Sequence, residues 1–284
     1  MFDNDEIDWV SFSRLPLPPA MQKIYEQNQP DVLIHRDAAS TFSYFFHTGC
    51  FPFNNVQMRR AFGLALNRAQ IVERTLSNKG KATTSVLPPA VAVQSSPYFK
   101  DGDVHAARAL FDEALALLGI GPDQLPEIVI THLDTPLRRS IANETRVQWE
   151  AALPVRVRLE ELSWDAYFKK ITYDEFHICG LTWYACFHDP AELLDCFKYS
   201  SNKVNCTHWQ HPDYIRLIEM ASKEPKVEGR KASLQKVESL LIEEMPIIPL
   251  YSHVNTYLKK PRLKGVQVSQ LGVVNFKSAY IDSN

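Results

Sequence analysis

The chain has little glycine (10 in 284 residues), no long apolar run and no block of like charge, and each shortage removes a class of function. No stretch approaches the ~20 consecutive apolar residues that a membrane helix needs. The 31 basic and 33 acidic residues are dispersed and give a net charge of −2. No basic stripe is offered to a polyanion or an acidic membrane surface, so nucleic acid is not expected as a partner. The phosphate-cradling patterns G-x-G-x-x-G and G-x-x-x-x-G-K-[ST] are absent, and Gly119-Ile120-Gly121 reads only as a helix stop. There is no internal repeat and no low-complexity tract. The five cysteines, Cys50, Cys179, Cys186, Cys196 and Cys206, are odd in number and contain no C-x-x-C pair, which argues against a disulfide framework. Cys50, Cys179 and Cys196 read as reduced thiols packed as small hydrophobes. The opening MFDNDEIDWVSFSRL is acidic and lacks the basic start and apolar run of a signal peptide, so no export signal is expected within the chain.

What is present is an ordinary globular composition, 45 % apolar and 23 % charged, on a chain long enough to bury a large core. Residues 1–55 are weakly periodic and carry Pro16, Pro18, Pro19 and Pro30. Strands are expected near 31–33 and 40–46. The aromatic run TFSYFF at 41–46 suits a strand buried on both faces. Asn54 or Asn55 is a helix cap, and Phe62, Ala65, Leu66, Ala69, Val72 and Leu76 then fall on one stripe. Asp103 caps a second helix that Gly119 ends. A strand at 128–131, a helix opened by Pro136, an alternating strand at 154–159, a short helix after Ser163 and a strand at 175–183 follow. A short helix is expected at 191–197, two further helices at 213–222 and 229–244, and strands at 247–251 and 255–258. Helix and strand alternate, which argues an α/β fold with a mixed central sheet.

Certain segments recur in a recognisable order. A P-F-N-N lead opens the helix that carries Arg59 and Arg60. Leu181-Thr182-Trp183-Tyr184 ends a strand, Asp189-Pro190 follows, and Pro246-Ile-Ile-Pro249-Leu-Tyr251 comes last. That order resembles the C-terminal half of the family 5 extracellular solute-binding proteins, the peptide and nickel receptors of ABC importers. The resemblance implies a type II periplasmic-binding-protein-like lobe. A ligand-binding lobe would span 56–250, flanked by a hinge or first-lobe remnant at 1–55 and return strands at 251–284. The flanks, including the aromatic run at 41–46, would cross the hinge and lie exposed without the other lobe. The resemblance also implies an oligopeptide ligand, the permease subunits of an ABC transporter as partners, no cofactor, no catalysis, and a periplasmic or extracytoplasmic location.

In peptide-binding members a pattern like G-W-C-A-D-Y-N-E-P places an aspartate against the peptide ammonium. This chain reads T-W-Y-A-C-F-H-D-P, so Trp183 and Tyr184 match cleft positions and Cys186 stands where that aspartate would be. A buried ammonium without a carboxylate forfeits a charge-assisted hydrogen bond of ~1.5–3 kcal/mol. Either Asp189, three residues on, substitutes for it, or the ligand differs, or the function has lapsed; Tyr44 and His47 are further cleft candidates. Arg59 and Arg60 at a helix start oppose its dipole and read as structural anchors.

Three alternatives stand beside this reading. The chain is a partner module that completes its fold with a separate first-lobe polypeptide. It is a receptor for a non-peptide ligand such as a metal complex. Or its thiols and imidazoles carry chemistry: C-x-H-x-x-H at Cys206, His208 and His211 suits a zinc-like ion, and Cys186 with His188 and Asp189 suits a nucleophile and its base.

Overall fold

The computed structural model describes residues 1–10, 17–76, 80–173, 176–269 and 271–282. In chain order these form β1 (Trp9–Val10), α1 (Pro19–Asn28), β2 (Leu33–Phe46), α2 (Val56–Leu64), α3 (Arg68–Leu76), β3 (Gly80–Ala82), α4 (Val104–Leu118) and β4 (Ile128–Leu133). There follow α5 (Pro136–Ala152), β5 (Val157–Leu162), α6 (Trp164–Tyr173), β6 (Ile178–Tyr184), α7 (Pro190–Asp195), α8 (Pro212–Lys223), α9 (Val227–Glu244) and β7 (Ile247–Lys259). Short pairs formed by β8 (Leu263–Lys264), β9 (Gln267–Val268), β10 (Val274–Asn275) and β11 (Tyr280–Ile281) close the chain.

One mixed sheet organises the molecule, in the order β1-β7-β2-β6-β4-β5, with β3 beside β7. The β2–β7 and β2–β6 pairings are antiparallel, whereas β4 lies parallel to β5 and β6. Parallel neighbours need crossovers, and α5 and α6 supply them. Side chains alternate along β2. Phe42, Tyr44 and Phe46 face α2 and α5, where the Tyr44 and Phe62 rings lie 6.0 and 5.0 Å from Trp149. Phe45 faces the opposite layer, where it meets Phe197 beyond α7 at 6.2 Å. Gly180 sits opposite Tyr44, and a Cβ there would come within 2.7 Å of Phe42 Cζ. Only a residue without a side chain leaves room for the two rings over β6.

The expected caps are in place. Asn55 accepts from Met58 N–H, Asp103 from Ala106 N–H, and Gly119 ends α4 in the left-handed region. Arg59 is an anchor as expected: it is buried and donates to the carbonyls of Phe53 and Glu244.

Three expectations are corrected. The aromatic run at 41–46 is not an exposed flank, because Phe42, Tyr44, Phe45 and Phe46 are all fully buried and β2 is a central strand between β6 and β7. The single stripe from Phe62 to Leu76 is two helices. The chain turns at 65–67, Asn67 Oδ1 accepts from Gln70 N–H, and Arg68 rather than Ala69 faces inward. The two short strands expected at 247–251 and 255–258 are the single strand β7, which follows β2 for its whole length. Register shifts between Asp37 and Thr41 and between Phe42 and Ser43 absorb the mismatch.

Candidate functional site

The register of β2 and β6 decides which candidates meet. Tyr184 pairs with Ser40 and Trp183 with Thr41, so adjacent side chains of β6 leave its end on opposite faces. On the α5 face, Tyr184 stacks on His253 at 6.3 Å, and His253 lies 4.9 Å from Tyr251. The Arg138 guanidinium lies over the Phe42 ring at 4.0 Å and donates to Thr182 Oγ1 at 2.8 Å. On the other face the half-buried Trp183 reaches Phe197. Its indole N–H and the Thr41 hydroxyl opposite are both buried with no hydrogen-bond partner among the described residues.

Beyond Tyr184 the backbone leaves the sheet, and Ala185 N–H donates to Ala39 O at 2.8 Å. This exit opens a groove of about 670 Å³ lined by Trp9, Ala38, Ala39, Tyr184, Ala185, Cys186 and Asn255 and by residues 271–274 and 276. None of these described lining residues carries a charge. Around it Tyr184, Phe187, Val273 and Phe276 are exposed.

The structure thus brings Tyr184 and Cys186 together at one groove, with Trp183 directly behind it. It does not bring in the rest. Tyr44 is not a cleft residue: it is 1 % exposed, and its phenol is pushed above the usual range by burial. His47 sits past the far end of β2, where its ring meets Phe176 at 5.3 Å and His208 at 4.6 Å. Seven residues of strand, roughly 20 Å, separate it from Ser40 beside Tyr184. Asp189 is not free to receive a cation. It caps α7 by accepting from Ala191 N–H, and both its oxygens lie 2.9 Å from Arg230 Nη2.

Two residues that the sequence reading missed shape the loop. Glu192 accepts from the N–H groups of Cys186 and Phe187, fixing the turn after β6, and Arg230 neutralises Asp189. The signal for Glu192 was available: Asp189 and Glu192 have the spacing of a capping box, in which a carboxylate at the third helical position reaches back. Nothing local pointed to Arg230, which arrives from α9.

The C-x-H-x-x-H spacing disperses. Cys206 is buried, His208 packs on His47, and His211 Nδ1 caps α8 by accepting from Asp213 N–H. Among the described residues no group of three or more His, Cys, Asp or Glu is placed to hold a metal ion. Cys186 and His188 lie on an exposed turn rather than on one strand face.

His253 gives the site a pH dependence. Burial, then the nearby Arg138 charge, lowers its pKa from 6.5 to about 4. The unfolded chain therefore binds this proton first as pH falls. The stability contributed by neutral His253 is fully present above pH 6.5 and is lost as pH drops through about 4. A His253→Gln variant is expected to remove that component. Thermal midpoints of both proteins measured from pH 7.5 to 4 will diverge by the expected slope, and parallel curves would refute it.

A family model described as bacterial extracellular solute-binding proteins, family 5 Middle, matches residues 1–205. The chain belongs to this family. It is 28 % identical to the oligopeptide-binding protein OppA of Bacillus subtilis, over 98 % of this chain and 52 % of that protein. It is 26 % identical to the dipeptide-binding protein DppE of the same organism, over 86 % of this chain and 46 % of the relative. The solved structure of the Escherichia coli murein tripeptide binding protein MppA superposes with a TM-score of 0.81 at 23 % identity, covering all of this chain and 55 % of that one. Haemophilus influenzae OppA, solved in complex with RPPGFSPFR, gives 0.79 at 20 % identity. The fold is therefore that of a type II periplasmic binding protein, and the chain spans about half the length of the relatives it matches.

Proposed function

We propose that this chain is the part of an ABC-importer receptor that takes oligopeptides, with the ligand lying over the groove at the end of β6. The observation that carries the reading is that groove: about 670 Å³, uncharged, rimmed by exposed aromatics and set on a strand end of a family 5 solute-binding protein. Pockets for small ligands combine apolar walls with a few placed polar groups, and here Tyr184, Cys186 and Asn255 supply those groups. Binding would draw the two lobes of the complete receptor together and present the ligand to the membrane permease outside the cytoplasm. The domain division at 55 and 250 belongs to the same proposal, with β1, α1 and the outer halves of β2 and β7 forming the stem toward the other lobe.

Peptide recognition on this wall would not run through the ammonium. None of the described residues lining the groove carries a carboxylate, and Asp189 is held by Arg230. A tripeptide and its N-acetylated form are therefore expected to bind with affinities within about threefold of each other, which is less than the tenfold that 1.4 kcal/mol represents. Tyr184→Ala is expected to weaken both by about tenfold, as loss of a central aromatic contact does. Isothermal titration calorimetry of the chain with a tri- to pentapeptide set measures this. A free ammonium required for binding, or Tyr184→Ala without effect, would defeat the reading. Heat only after adding a polypeptide with the remaining half of the family architecture would favour the partner-module reading, which the exposure of Phe187, Val273 and Phe276 supports.

A further inference from the structure

At the end of the sheet away from the Tyr184 groove lies a second cavity, of about 380 Å³. The seven residues of β6, roughly 20 Å of strand, separate the two. Val129 and Thr131 on β4 are register partners of Arg158 and Glu160 on β5, so these four side chains leave the sheet on one face. Lys170 reaches the cavity from α6. The 49–51 loop after β2, together with Phe176 and His177 just before β6, completes the wall.

The hydrogen bonds here leave donors to spare. Glu160 is satisfied: it accepts from the Thr131 hydroxyl at 2.8 Å and lies 3.2 Å from Lys170 Nζ. Burial alone would raise its pKa, but the Thr131 hydroxyl and Lys170 hold it below the usual carboxylate value. His177 Nδ1 accepts from Val129 N–H at 3.2 Å, so the neutral ring carries its proton on Nε2. That Nε2–H has no acceptor among the described residues. Arg158 Nε lies 3.2 Å from Glu127 Oε2 on the rim, and its Nη groups make no hydrogen bond among the described residues. Lys170 has three N–H donors and pairs only with Glu160. Two cations and one carboxylate among the described lining residues leave one positive charge in excess. Phe51, Val129 and Phe176 supply apolar wall between them.

We propose that this cavity binds a small monocarboxylate, its oxygens held by Arg158, Lys170 and His177 Nε2–H and its apolar body against Phe51, Val129 and Phe176. The volume lies at the small end of ligand pockets, which run from roughly 300 to 1,000 Å³. A planar carboxylate suits a guanidinium, and bonds between ionised partners are about twice as strong as neutral ones. A single negative charge balances the excess. A dianion such as inorganic phosphate would bring a second charge against Glu160, and a metal cation would meet the positive surplus. The site is separate from the peptide groove, and the proposal does not depend on that reading. The same chemistry is offered by a free organic acid and by the C-terminus of a polypeptide.

The test is titration of the whole chain with benzoate at constant ionic strength, followed by calorimetry and by the NMR signal of the His177 ring. Saturable binding that moves this signal is expected, with benzamide, the neutral isostere, at least tenfold weaker. Burial, then the Arg158 and Lys170 charges, lowers the His177 pKa, so a bound anion should raise it. Arg158→Gln, at a half-exposed position, should weaken benzoate at least tenfold while leaving the thermal midpoint close to that of the wild type. An N-acetylated dipeptide and its C-terminal amide separate the two sources. A His177 response to benzoate alone supports a site for free acids, and a response to the dipeptide acid that its amide lacks supports one that also takes chain ends. A His177 signal that benzoate leaves unmoved, benzamide binding as tightly as benzoate, or Arg158→Gln without effect would overturn the proposal. The benzamide comparison needs no variant, so it holds even if Arg158→Gln fails to fold. Peptides held only at the Tyr184 groove would leave the His177 signal unchanged, so failure at either site is read separately.

Discussion

Replacing Arg68 by methionine is expected to lower the unfolding free energy by about 3–5 kcal/mol, the range seen when one partner of a buried ion pair is removed. Arg68 is 1 % exposed, and its guanidinium is shared among four acceptors. Nε donates to Pro249 O at 2.6 Å, Nη2 to Gly63 O at 3.1 Å, and Nη1 to Leu66 O at 3.3 Å and to Asp101 Oδ1 at 2.8 Å. The Phe99 ring lies 4.8 Å from its carbon. Burial alone would drive the charge off this group, and the Asp101 carboxylate opposes that. Methionine fills much of the volume but donates nothing, so carbonyls from α2, the 65–67 turn and β7 are stranded together. Each stranded buried acceptor costs about 1–3 kcal/mol. Asp101 is partly exposed and regains water, so it contributes least to the loss. Lysine is expected to rescue little, because one ammonium cannot span acceptors on three elements. Urea unfolding of wild type, Arg68→Met and Arg68→Lys provides the measurement. The midpoint should fall with an unchanged slope. A loss below about 1 kcal/mol, the range of a surface pair, would show that the network is not holding β7 to the helices.

The Arg68 example also shows where the sequence stopped being legible. Caps, stops and alternation are local signals, so Asn55, Asp103, Pro136 and Gly119 marked their elements correctly. The aromatic run at 41–46 was identified from composition as buried on both faces, and its side chains are buried on both. Its position was misjudged because the order of strands in a sheet is a long-range property: β2 is joined to β7 across two hundred residues. Arg68 followed the same pattern. A cation one turn from the surface reads as solvated until Pro249 and Asp101 are seen around it. At the site, the strand end with Trp183 and Tyr184 was legible as a motif. Asp189 looked equally available, but Arg230 on α9 occupies it, and an ion pair across 41 positions leaves no trace in spacing. Tyr44 was assigned to a cleft by its neighbourhood in sequence, whereas strand alternation turned it into the core beneath α5.

Glu238 on α9 is expected to be the second most sensitive polar position, and its response to pH distinguishes two opposing forces. It is 0 % exposed, and no cation pairs with it in the hydrogen bonds it makes. Oε1 accepts from the Ser85 hydroxyl at 2.7 Å, from Val86 N–H at 2.9 Å and from Leu87 N–H at 3.1 Å, and Oε2 accepts from the Tyr98 hydroxyl at 2.6 Å. One carboxyl group thereby pins the segment that walls a broad groove of about 1140 Å³ between the 82–101 loop and Lys231. Glu238→Ala strands two backbone donors and two hydroxyls, at about 1–3 kcal/mol for each group left buried and unpaired, so a total loss of at least about 3 kcal/mol is expected. Hydrogen exchange at Val86 and Leu87 should rise with it. Glu238→Gln keeps an acceptor for Ser85, Val86 and Leu87 and offers its amide hydrogens to the Tyr98 oxygen, so it should lose less. The pH dependence then follows from direction. Burial raises the Glu238 pKa above 4.5, and the four hydrogen bonds only partly offset this. The folded state therefore keeps this proton over a range where the unfolded chain has released it. Its stabilising effect is complete below pH 4.5 and declines as pH rises through the folded value, so the wild type should gain on Glu238→Gln as pH is lowered. The difference between the two unfolding free energies, followed from pH 8 to 4, reads this directly. A wild type that instead loses ground on acidification would mean that the four donors hold the carboxylate ionised and outweigh its burial.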